Sequence, residues 1–386
     1  MPHCFDSLSD DVLERVAWYL VHKDLVTLSC VDKNLRYRLT PLVFREVRIG
    51  GSQTQYYTSF NIDPLSALRP YGHLVKKVTY SAHVVPLENS QFLFNAALSL
   101  TPHVTRLYLH GLNSRSTRYL NSYLLPVASQ ITHLSLAHTE RINNEIYGDC
   151  LYSGLVRARR LQYLELIGSK FRLAESEWKC VFRVCHELKV LRTRGCGDSG
   201  MVNALVQYPR RLETLQISFH HVNPHVLALI PLACPQLRFL FIYPLPAVSN
   251  LIVENITPRN LPHLERLDLT CNSFERVPSD SPSHERYRGM FNHAWPNLKQ
   301  LCLDNIRLDD SVLELMCENC PNLEELSLDE CRCSSRAYRM VLEKCTHLQE
   351  LHIRDLHSKF LSRLFPPKLG CTQLRKLAII IANFKA

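Results

Sequence analysis

The segment from Gly195 to Gly200, GCGDSG, has the glycine spacing that lets a backbone approach the pyrophosphate of a dinucleotide. It follows a predicted strand and precedes a predicted helix, which is the context that this chemistry needs. Dinucleotide binding also requires an acidic residue about 20 positions further on for the ribose, and Glu213 comes too early. The sequence therefore favours an ordinary strand-to-helix turn here, and we expect no cofactor.

Two close pairs of cysteines, Cys317 with Cys320 and Cys331 with Cys333, are spaced like the two halves of a zinc site. A second explanation competes with this one. Cys320 and Cys331 occupy positions that also recur elsewhere in the chain at a fixed distance from a leucine pattern. Recurring positions indicate thiols that fill the buried turns of a framework. We therefore expect no metal site.

Other catalytic patterns are missing from the sequence. His220, His221 and His225 have no cysteine or acidic partner nearby, which favours a turn over a metal site. No serine elbow, Walker motif or zinc-protease helix is present, and the 12 glycines are too few to suggest a phosphate-binding loop. We therefore expect a protein that is not an enzyme.

The size and composition of the chain suit a folded protein inside the cell. Its 386 residues are enough for two or three domains or for one repeat array, and 46% are hydrophobic. No apolar run reaches the roughly 18 residues of a membrane span, and the start MPHCFDSLSDDVLE does not look like a secretory signal. The 15 cysteines are then expected to be reduced thiols, which predicts a cytoplasmic or nuclear protein.

The net charge of +9 is confined to one part of the chain. Acidic and basic residues balance in residues 1–50 and again in residues 212–386, so the excess lies in residues 51–211. A local positive field favours a partner with an acidic or phosphorylated surface, although a solvated face without a partner explains the charge equally well. Because the basic residues form no continuous block, we expect no nucleic acid, and we expect no membrane as a partner.

A six-residue pattern, apolar-x-x-apolar-x-apolar, recurs through most of the chain. Its clear copies are VTRLYL at 104, ITHLSL at 131, LQYLEL at 161, LETLQI at 212, LRFLFI at 237, LERLDL at 264, LKQLCL at 298, LEELSL at 323, LQELHI at 348 and LRKLAI at 374. Most neighbouring copies are 24 to 30 residues apart. This is the period of leucine-rich repeats, and so many copies in near-regular register exceed chance.

The pattern predicts one strand and one helix in each repeat. Its second and third apolar positions are two apart and point to the same side of a strand. The segments between copies have apolar residues at helical spacing, as in DDSVLELMCENC after Leu308. We therefore predict an α/β fold, a leucine-rich-repeat horseshoe solenoid over residues 50–386 with about 11 to 12 repeats, its parallel strands concave and its helices convex.

The array also contains cysteines at recurring positions and one unusually long distance between neighbouring copies of the pattern. Five cysteines each lie three residues before the first leucine of a copy, as in the cysteine-containing subclass of leucine-rich repeats, and they are Cys185, Cys234, Cys320, Cys345 and Cys371. The step from Leu264 to Leu298 is 34 residues long. The surplus, residues 279–296, is rich in serine, proline and charge, which predicts a protruding loop.

Residues 1–49 lack the repeat and predict a small all-α module. Ser9 is a suitable cap for a first helix, Asp24 for a second, and a third is expected to stop near Pro41. The apolar positions of these helices are Val12, Leu13, Val16, Leu20, Leu25, Leu28, Val31, Leu35 and Leu39. Three short helices form only a marginal core, so their apolar stripes are candidates for docking to another protein.

The segment from Phe5 to Ile49 resembles an F-box. Matching slots are Leu8, the acidic pair Asp10 and Asp11, the apolar first helix, and the Asp-Leu step at Asp24. Two positions depart from the family pattern, since Ser9 stands where proline is usual and Leu35 where many members have an aromatic residue. An F-box followed by leucine-rich repeats is an arrangement known in this family, so the resemblance covers the whole chain.

The resemblance implies a function. An F-box binds a Skp-type adaptor that is held by a cullin ubiquitin ligase, and the repeats capture the substrate, so we expect a substrate-recognition subunit of a Skp–cullin–F-box ubiquitin ligase. The implied adaptor contacts are Leu8, Ser9, Val12, Leu13, Val16, Leu20, Leu25, Leu28 and Leu35. Several of these residues can equally form the core of the module. The alternative function is a repeat scaffold that binds proteins without recruiting the ligase.

Concave positions of the middle strands have the composition of a binding site. Phe239, Phe241 and Tyr243 alternate along one predicted strand, close to Arg192 and Arg194 on an earlier one. Clustered aromatics beside arginines are typical of binding hot spots. We therefore predict that these five residues bind a protein substrate, for which an acidic or phosphorylated surface would suit the arginines, unless a loop or the C-terminal tail covers the aromatic rings.

Overall fold

A computed structural model describes residues 8–20, 22–49, 65–66, 68–81, 87–112, 119–138, 148–168, 171–208, 211–219, 223–245, 250–271, 283–306, 308–329, 331, 333–356 and 370–381. The chain forms two compact units, Met1–Phe171 and Arg172–Ala386. Each unit is described by its own helices and strands.

The first unit begins with three helices. They are α1 (Asp10–Tyr19), α2 (His22–Ser29) and α3 (Lys33–Val43). The Ser9 hydroxyl accepts a hydrogen bond from the Val12 N–H at 3.4 Å, and the Asp32 carboxylate accepts one from the Leu35 N–H at 2.8 Å. These side chains satisfy N–H groups that the first turn of a helix leaves unpaired. The cap that the sequence predicted at Ser9 is confirmed.

One predicted helix boundary is wrong. Helix α2 begins at His22, so Asp24 lies within its first turn instead of capping it. A carboxylate is favourable there as well, because the N-terminal N–H groups carry a partial positive charge. Helix α3 ends at Val43, two residues after Pro41, so the predicted stop near Pro41 is confirmed. Burial of Val43 in the module core favours these last two residues of the helix.

The rest of the first unit alternates strands with helices. Five strands lie in sequence order with each neighbouring pair parallel, namely β1 (Glu46–Ile49), β2 (Lys77–Ser81), β3 (Arg106–Leu112), β4 (His133–His138) and β5 (Tyr163–Ile167). The helices between them are α4 (Leu68–Tyr71), α5 (Leu87–Leu100), α6 (Leu120–Leu124), α7 (Gly148–Leu155) and a 3₁₀ turn, Gly72–Leu74.

The second unit repeats the same alternation. Its parallel strands are β6 (Val190–Gly197), β7 (Thr214–Phe219), β8 (Phe239–Leu245), β9 (Arg266–Cys271), β10 (Gln300–Asp304), β11 (Glu325–Asp329), β12 (Glu350–Leu356) and β13 (Lys376–Ile381). Its helices are α8 (Glu175–Val184), α9 (Ser199–Gln207), α10 (Pro224–Leu227), α11 (Ile230–Ala233), α12 (Asn250–Asn255), α13 (Ser283–Phe291), α14 (Asp310–Asn319) and α15 (Ser335–Lys344).

The leucines of the repeated pattern lie on the buried side of these strands. In β11, Leu326 and Leu328 are fully buried, and the register places them beside Leu351 and Ile353 of β12. Burial of one such side chain contributes about 1.5–3 kcal/mol, and no repeat can bury its apolar face without a neighbour. The predicted α/β leucine-rich-repeat solenoid is confirmed.

The framework cysteines are buried as predicted. Cys185, Cys234, Cys320, Cys345 and Cys371 all lie in the interior. Asparagines add a second link between repeats. The Asn322 amide donates to the Pro296 carbonyl at 2.7 Å, and the Asn297 amide donates to the Pro262 carbonyl at 2.8 Å. Each bond joins the turn before a strand to the same turn of the preceding repeat.

The predicted protruding loop at 279–296 is wrong for residues 283–296. Helix α13 occupies Ser283–Phe291, and Tyr287, Met290 and Phe291 are buried. The indole N–H of Trp295, also buried, donates to the Met290 carbonyl at 2.9 Å. Apolar residues at helical spacing therefore outweigh the local serine, proline and charge. Residues 279–282 lie outside the described residues.

In the part of the chain that the structure describes, every helix falls short of the length and apolar character that a membrane crossing needs.

Candidate protein-binding surfaces

The residues that the F-box resemblance implies as adaptor contacts divide into three groups by exposure. The buried group, inside the module core, is Leu13, Leu25 and Leu35. The partly buried group, packed on that core, is Leu8, Leu20 and Leu28. The third group consists of Ser9 and Val12, which are exposed, and Val16, which is half-buried. Direct contact with a partner is therefore open to the third group, whereas the first group acts by holding the helices together.

The module also exposes apolar side chains that the sequence analysis did not select as adaptor contacts. Tyr19 and Tyr37 are 91% and 82% exposed, and Val26 and Val31 also face solvent. Together with Val12 they are half of the large hydrophobic side chains exposed in the described part of the chain. Such a concentration on three short helices indicates a surface that another protein covers.

On α1 the exposed Val12 and Tyr19 form one stripe with the half-buried Val16. Val12, Val16 and Tyr19 are spaced by four and then three residues, so they lie on one side of the helix. Leu13 faces the core from a different side of the same helix. The spacing of Tyr19 was visible in the sequence and could have added it to the predicted contacts.

Ion pairs hold α1 against α3 and its continuation. The Arg38 guanidinium donates to the Asp10 carboxylate at 2.7 Å and also to the Leu8 carbonyl oxygen. The Arg45 guanidinium donates to the Glu14 carboxylate at 3.0 Å. Because these carboxylates are solvent-exposed, the pairs contribute little to stability. They do fix the orientation in which α1 presents its stripe.

The predicted substrate residues are brought together on the strand face of the second unit, the side that bears the residues alternating with the leucines. The register pairs Arg192 of β6 with Gln216 of β7, and Gln216 with Phe241 of β8. In the same way, Arg194 is aligned with Ser218 of β7, and Ser218 is aligned with Tyr243 of β8. Two strand spacings separate each arginine from its aromatic partner, about 10 Å. We call Arg192, Arg194, Phe239, Phe241 and Tyr243 the arginine–aromatic patch.

Cations lie over two rings of the arginine–aromatic patch. The Arg266 guanidinium is 5.1 Å from the centre of the Phe241 ring, and that of Arg238 is 5.6 Å from the centre of the Phe239 ring. Both rings are half-buried and retain exposed surface. Cation–π contacts of this kind are worth about 0.5–1 kcal/mol at exposed sites and hold the rings in place.

A buried carboxylate lies beneath the patch. Asp268, which the alternation predicts on the solvent side of β9, is only 5% exposed. It accepts hydrogen bonds from the Tyr243 hydroxyl at 3.0 Å and from Arg266 at 3.3 Å, and these two side chains cover it. Burial, followed by the negative charge of Asp268, raises the pKa of Tyr243 well above its usual value. Tyr243 is therefore a neutral hydrogen-bond donor at physiological pH.

Arg194 is exposed and held by a neighbouring amide. With its amide oxygen turned towards β6, Gln216 accepts hydrogen bonds from Nε and Nη2 of Arg194 at 3.0 and 3.1 Å. The guanidinium carries further N–H donors beyond these two, and a partner can bind them. The patch thus combines an oriented exposed cation with fixed aromatic rings.

The first unit has a second set of aromatic and cationic side chains on its strand face. The Lys77 ammonium lies 5.0 Å from the centre of the Tyr108 ring. The imidazole of His133 is stacked on the ring of Tyr163, with centroids 5.6 Å apart. These positions come from the same alternation in the sequence, but the stacked partners become evident only when neighbouring strands are aligned.

Ser135, His110 and Glu165 lie together on that face but do not form a hydrolase triad. The Ser135 hydroxyl donates to the Glu165 carboxylate at 2.7 Å and is 3.5 Å from His110 Nε2. In a triad the carboxylate binds the histidine, and the histidine takes the serine proton. Here the carboxylate binds the serine directly, so the arrangement does not activate the hydroxyl as a nucleophile.

The two motifs that resemble cofactor and metal sites have structural roles. In the glycine-rich segment, Cys196 is buried, and the Asp198 carboxylate caps α9 by accepting from the Met201 N–H at 2.8 Å. The Cys331 thiol donates to the Leu303 carbonyl at 3.0 Å. The described residues include no group of three or more His, Cys, Asp or Glu side chains arranged to hold a metal ion.

No family model and no curated protein matches the sequence. Among solved structures, the chain is similar to one described as the Rad7 and Elc1 complex in yeast, with a TM-score of 0.50 and 16% identity over 85% of this chain and 88% of that one. It also matches LegL7 from Legionella pneumophila, a leucine-rich-repeat-containing protein, with a TM-score of 0.36, 14% identity and coverage of 88% and 91%. A TLR13–ssRNA13 complex matches with a TM-score of 0.35, 13% identity and coverage of 88% and 58%. At these identities the likeness concerns the fold.

Proposed function

We propose that the chain is the substrate-recognition subunit of a Skp–cullin–F-box ubiquitin ligase. The helical module docks a Skp-type adaptor, and the strand face of the repeats captures a protein substrate. The chain then raises the effective concentration of the substrate near the ligase and catalyses no reaction itself.

The exposed apolar surface of the module is the main support for this proposal. The module exposes five large apolar side chains, four on α1–α3 and Val31 between α2 and α3, while its own core consists of five buried ones. A core of that size contributes only about 3–5 kcal/mol, so burial against a partner would add much to the stability of the module. The order of acidic pair, apolar helix and Asp-Leu step is the pattern that the F-box resemblance rests on.

The arginine–aromatic patch supports the second half of the proposal. It presents half-buried rings beside an exposed guanidinium, which suits a partner with an acidic or phosphorylated group next to an apolar side chain. The similar Rad7 structure contains Elc1, so a chain of this fold can hold another protein.

Adaptor docking is tested by co-expressing the full chain with a Skp-type adaptor and measuring capture in a pull-down. Replacement of both Val12 and Tyr19 by Asp places two charges in the α1 stripe without touching the core, and we expect it to abolish capture. The matched control is Leu232→Asp, since Leu232 is an exposed apolar residue outside the module. We expect the control to retain full capture.

The two functions remain distinguishable in this assay. If the folded full chain captures no Skp-type adaptor, the ligase role is excluded and the alternative, a leucine-rich-repeat interaction scaffold without ligase recruitment, takes its place. If capture occurs and the Val12 and Tyr19 variant retains it, the adaptor binds somewhere other than the α1 stripe.

Substrate capture is tested by charge reversal on the strand face. We expect Arg194→Glu to reduce both the set of proteins that the chain retains in cells and their ubiquitination by the ligase, because it turns an exposed cation of the patch into an anion. Arg354→Glu is the matched control, since Arg354 is exposed at the equivalent position of β12. Equal retention by both variants would exclude the arginine–aromatic patch as the capture surface.

A further inference from the structure

Two cysteine thiols from successive repeats meet in the second unit. Cys317 lies in the last turns of α14, and Cys345 follows the last residue of α15. Their sulfur atoms are 3.5 Å apart, in hydrogen-bond contact, although the residues are 28 positions apart in the sequence. The two residues are 7% and 5% exposed, so they lie at the edge of the interior.

This pair differs from another close pair of cysteines in the same unit. The Cys331 thiol donates to the Leu303 carbonyl at 3.0 Å, and the Cys333 thiol donates to the Cys331 carbonyl at 3.6 Å. Those thiols are engaged by backbone oxygen and not by each other. In Cys317 and Cys345, each sulfur has the other as its hydrogen-bond partner.

The two thiols of the pair also differ from each other in acidity. The hydrogen bond with Cys317 lowers the pKa of the Cys345 thiol, outweighing the effect of burial, and the Lys344 ammonium acts in the same direction. The same hydrogen bond, together with burial, raises the pKa of the Cys317 thiol. Cys345 is therefore the more acidic thiol of the two, and the thiolate is the form of cysteine that reacts as a nucleophile.

We propose that Cys317 and Cys345 are a modification site, a dithiol that a peroxide oxidises to a reversible disulfide. The Cys345 thiolate attacks one peroxide oxygen, which breaks the O–O bond, releases hydroxide and leaves a sulfenic acid on Cys345. The Cys317 sulfur then attacks that sulfur, and its proton leaves with the displaced hydroxide as water. The two thiols lose two electrons in total, and the peroxide is reduced to two molecules of water.

The geometry requires little movement for this step. A disulfide has an S–S distance of about 2.05 Å, so the two sulfur atoms must approach each other by about 1.5 Å. The product would link α14 to the end of α15 and tie together two successive repeats.

The experiment treats the full chain, with Cys30→Ser as background, with a small excess of hydrogen peroxide. Cys30 is exposed, and its removal prevents links between molecules at that position. Mass spectrometry of a non-reduced digest should show the Cys317 peptide joined to the Cys345 peptide. The free thiol count should fall by two, and dithiothreitol should restore it.

Matched variants identify the reacting pair. In Cys317→Ser and in Cys345→Ser the linked peptide and the loss of two thiols should disappear, whereas Cys333→Ser should leave both unchanged. Unchanged thiols after peroxide treatment would overturn the proposal. So would oxidation of Cys345 to sulfinic acid with no linked peptide, because Cys317 would then not be in position to complete the disulfide.

Discussion

Replacement of Leu35 by alanine tests how the helical module is built. The F-box resemblance implies Leu35 as an adaptor contact, whereas the structure buries it at 1% exposure in the core with Leu13, Leu25, Leu39 and Val43. A buried leucine-to-alanine change costs about 2–5 kcal/mol. A core of this size contributes only about 3–5 kcal/mol, so the single change removes most of the stability of the module.

Hydrogen exchange of the amides in α1–α3 measures this loss directly. We expect Leu35→Ala to abolish protection in these helices while the strands of the second unit remain protected. The control is Val12→Ala, which lies on the exposed α1 stripe and should change stability by less than about 0.5 kcal/mol. If Leu35→Ala keeps the protection of the control and loses only adaptor capture, the residue acts as a contact, and our reasoning from burial is refuted.

Three further outcomes are expected. Gly72→Ala should destabilise the first unit by about 3 kcal/mol or more, because an added Cβ would lie 1.9 Å from a backbone carbonyl oxygen. Gly289→Ala is the control, since its Cβ would meet open space and should cause no such loss of stability. Urea unfolding of the two variants measures the difference. Tyr243→Phe removes a hydrogen bond to the buried Asp268 carboxylate and should cost about 1.5–3 kcal/mol in the second unit by the same method; an unchanged midpoint would contradict the contact. Burial lowers the pKa of His110 below its usual value of 6.5, because it disfavours the charged imidazolium. The folded state should therefore be fully stable above pH 6.5 with respect to this group and lose stability as the pH falls towards the lowered pKa. An NMR titration of His110 with a midpoint above 6.5 would refute the shift.

The repeat architecture could be predicted from sequence because its cause is local and periodic. Each copy places leucines two apart, so the buried side of each strand is fixed by the alternation of the backbone. Leu326 and Leu328 are fully buried for this reason, and Cys320 and Cys345 are buried because their position in the repeat is constant. Stacking of neighbours then follows, since a single repeat has no other way to cover its apolar face.

Predictions from local composition succeeded less well. Serine, proline and charge at residues 279–296 indicated a loop, whereas Tyr287, Met290 and Trp295 are buried around a helix. Asp268 was expected to face solvent, and the Tyr243 hydroxyl and Arg266 cover it from two strands. At residues 283–291 the helical spacing of apolar residues outweighed the local composition, whereas Asp268 is buried partly through a contact with Tyr243, 25 positions away in the sequence, which composition does not encode.

The sequence by itself determined the type of fold, the spacing of its strands and the set of side chains that alternate with the leucines. It could not determine which apolar residues of the module face outward, because Val12 and Leu13 are both apolar aliphatic residues and only the packing of the module leaves one exposed and buries the other. It also could not pair Cys317 with Cys345, whose sulfur atoms meet because two repeats stack in register. Periodicity assigns residues to faces, and tertiary packing decides which faces and side chains touch.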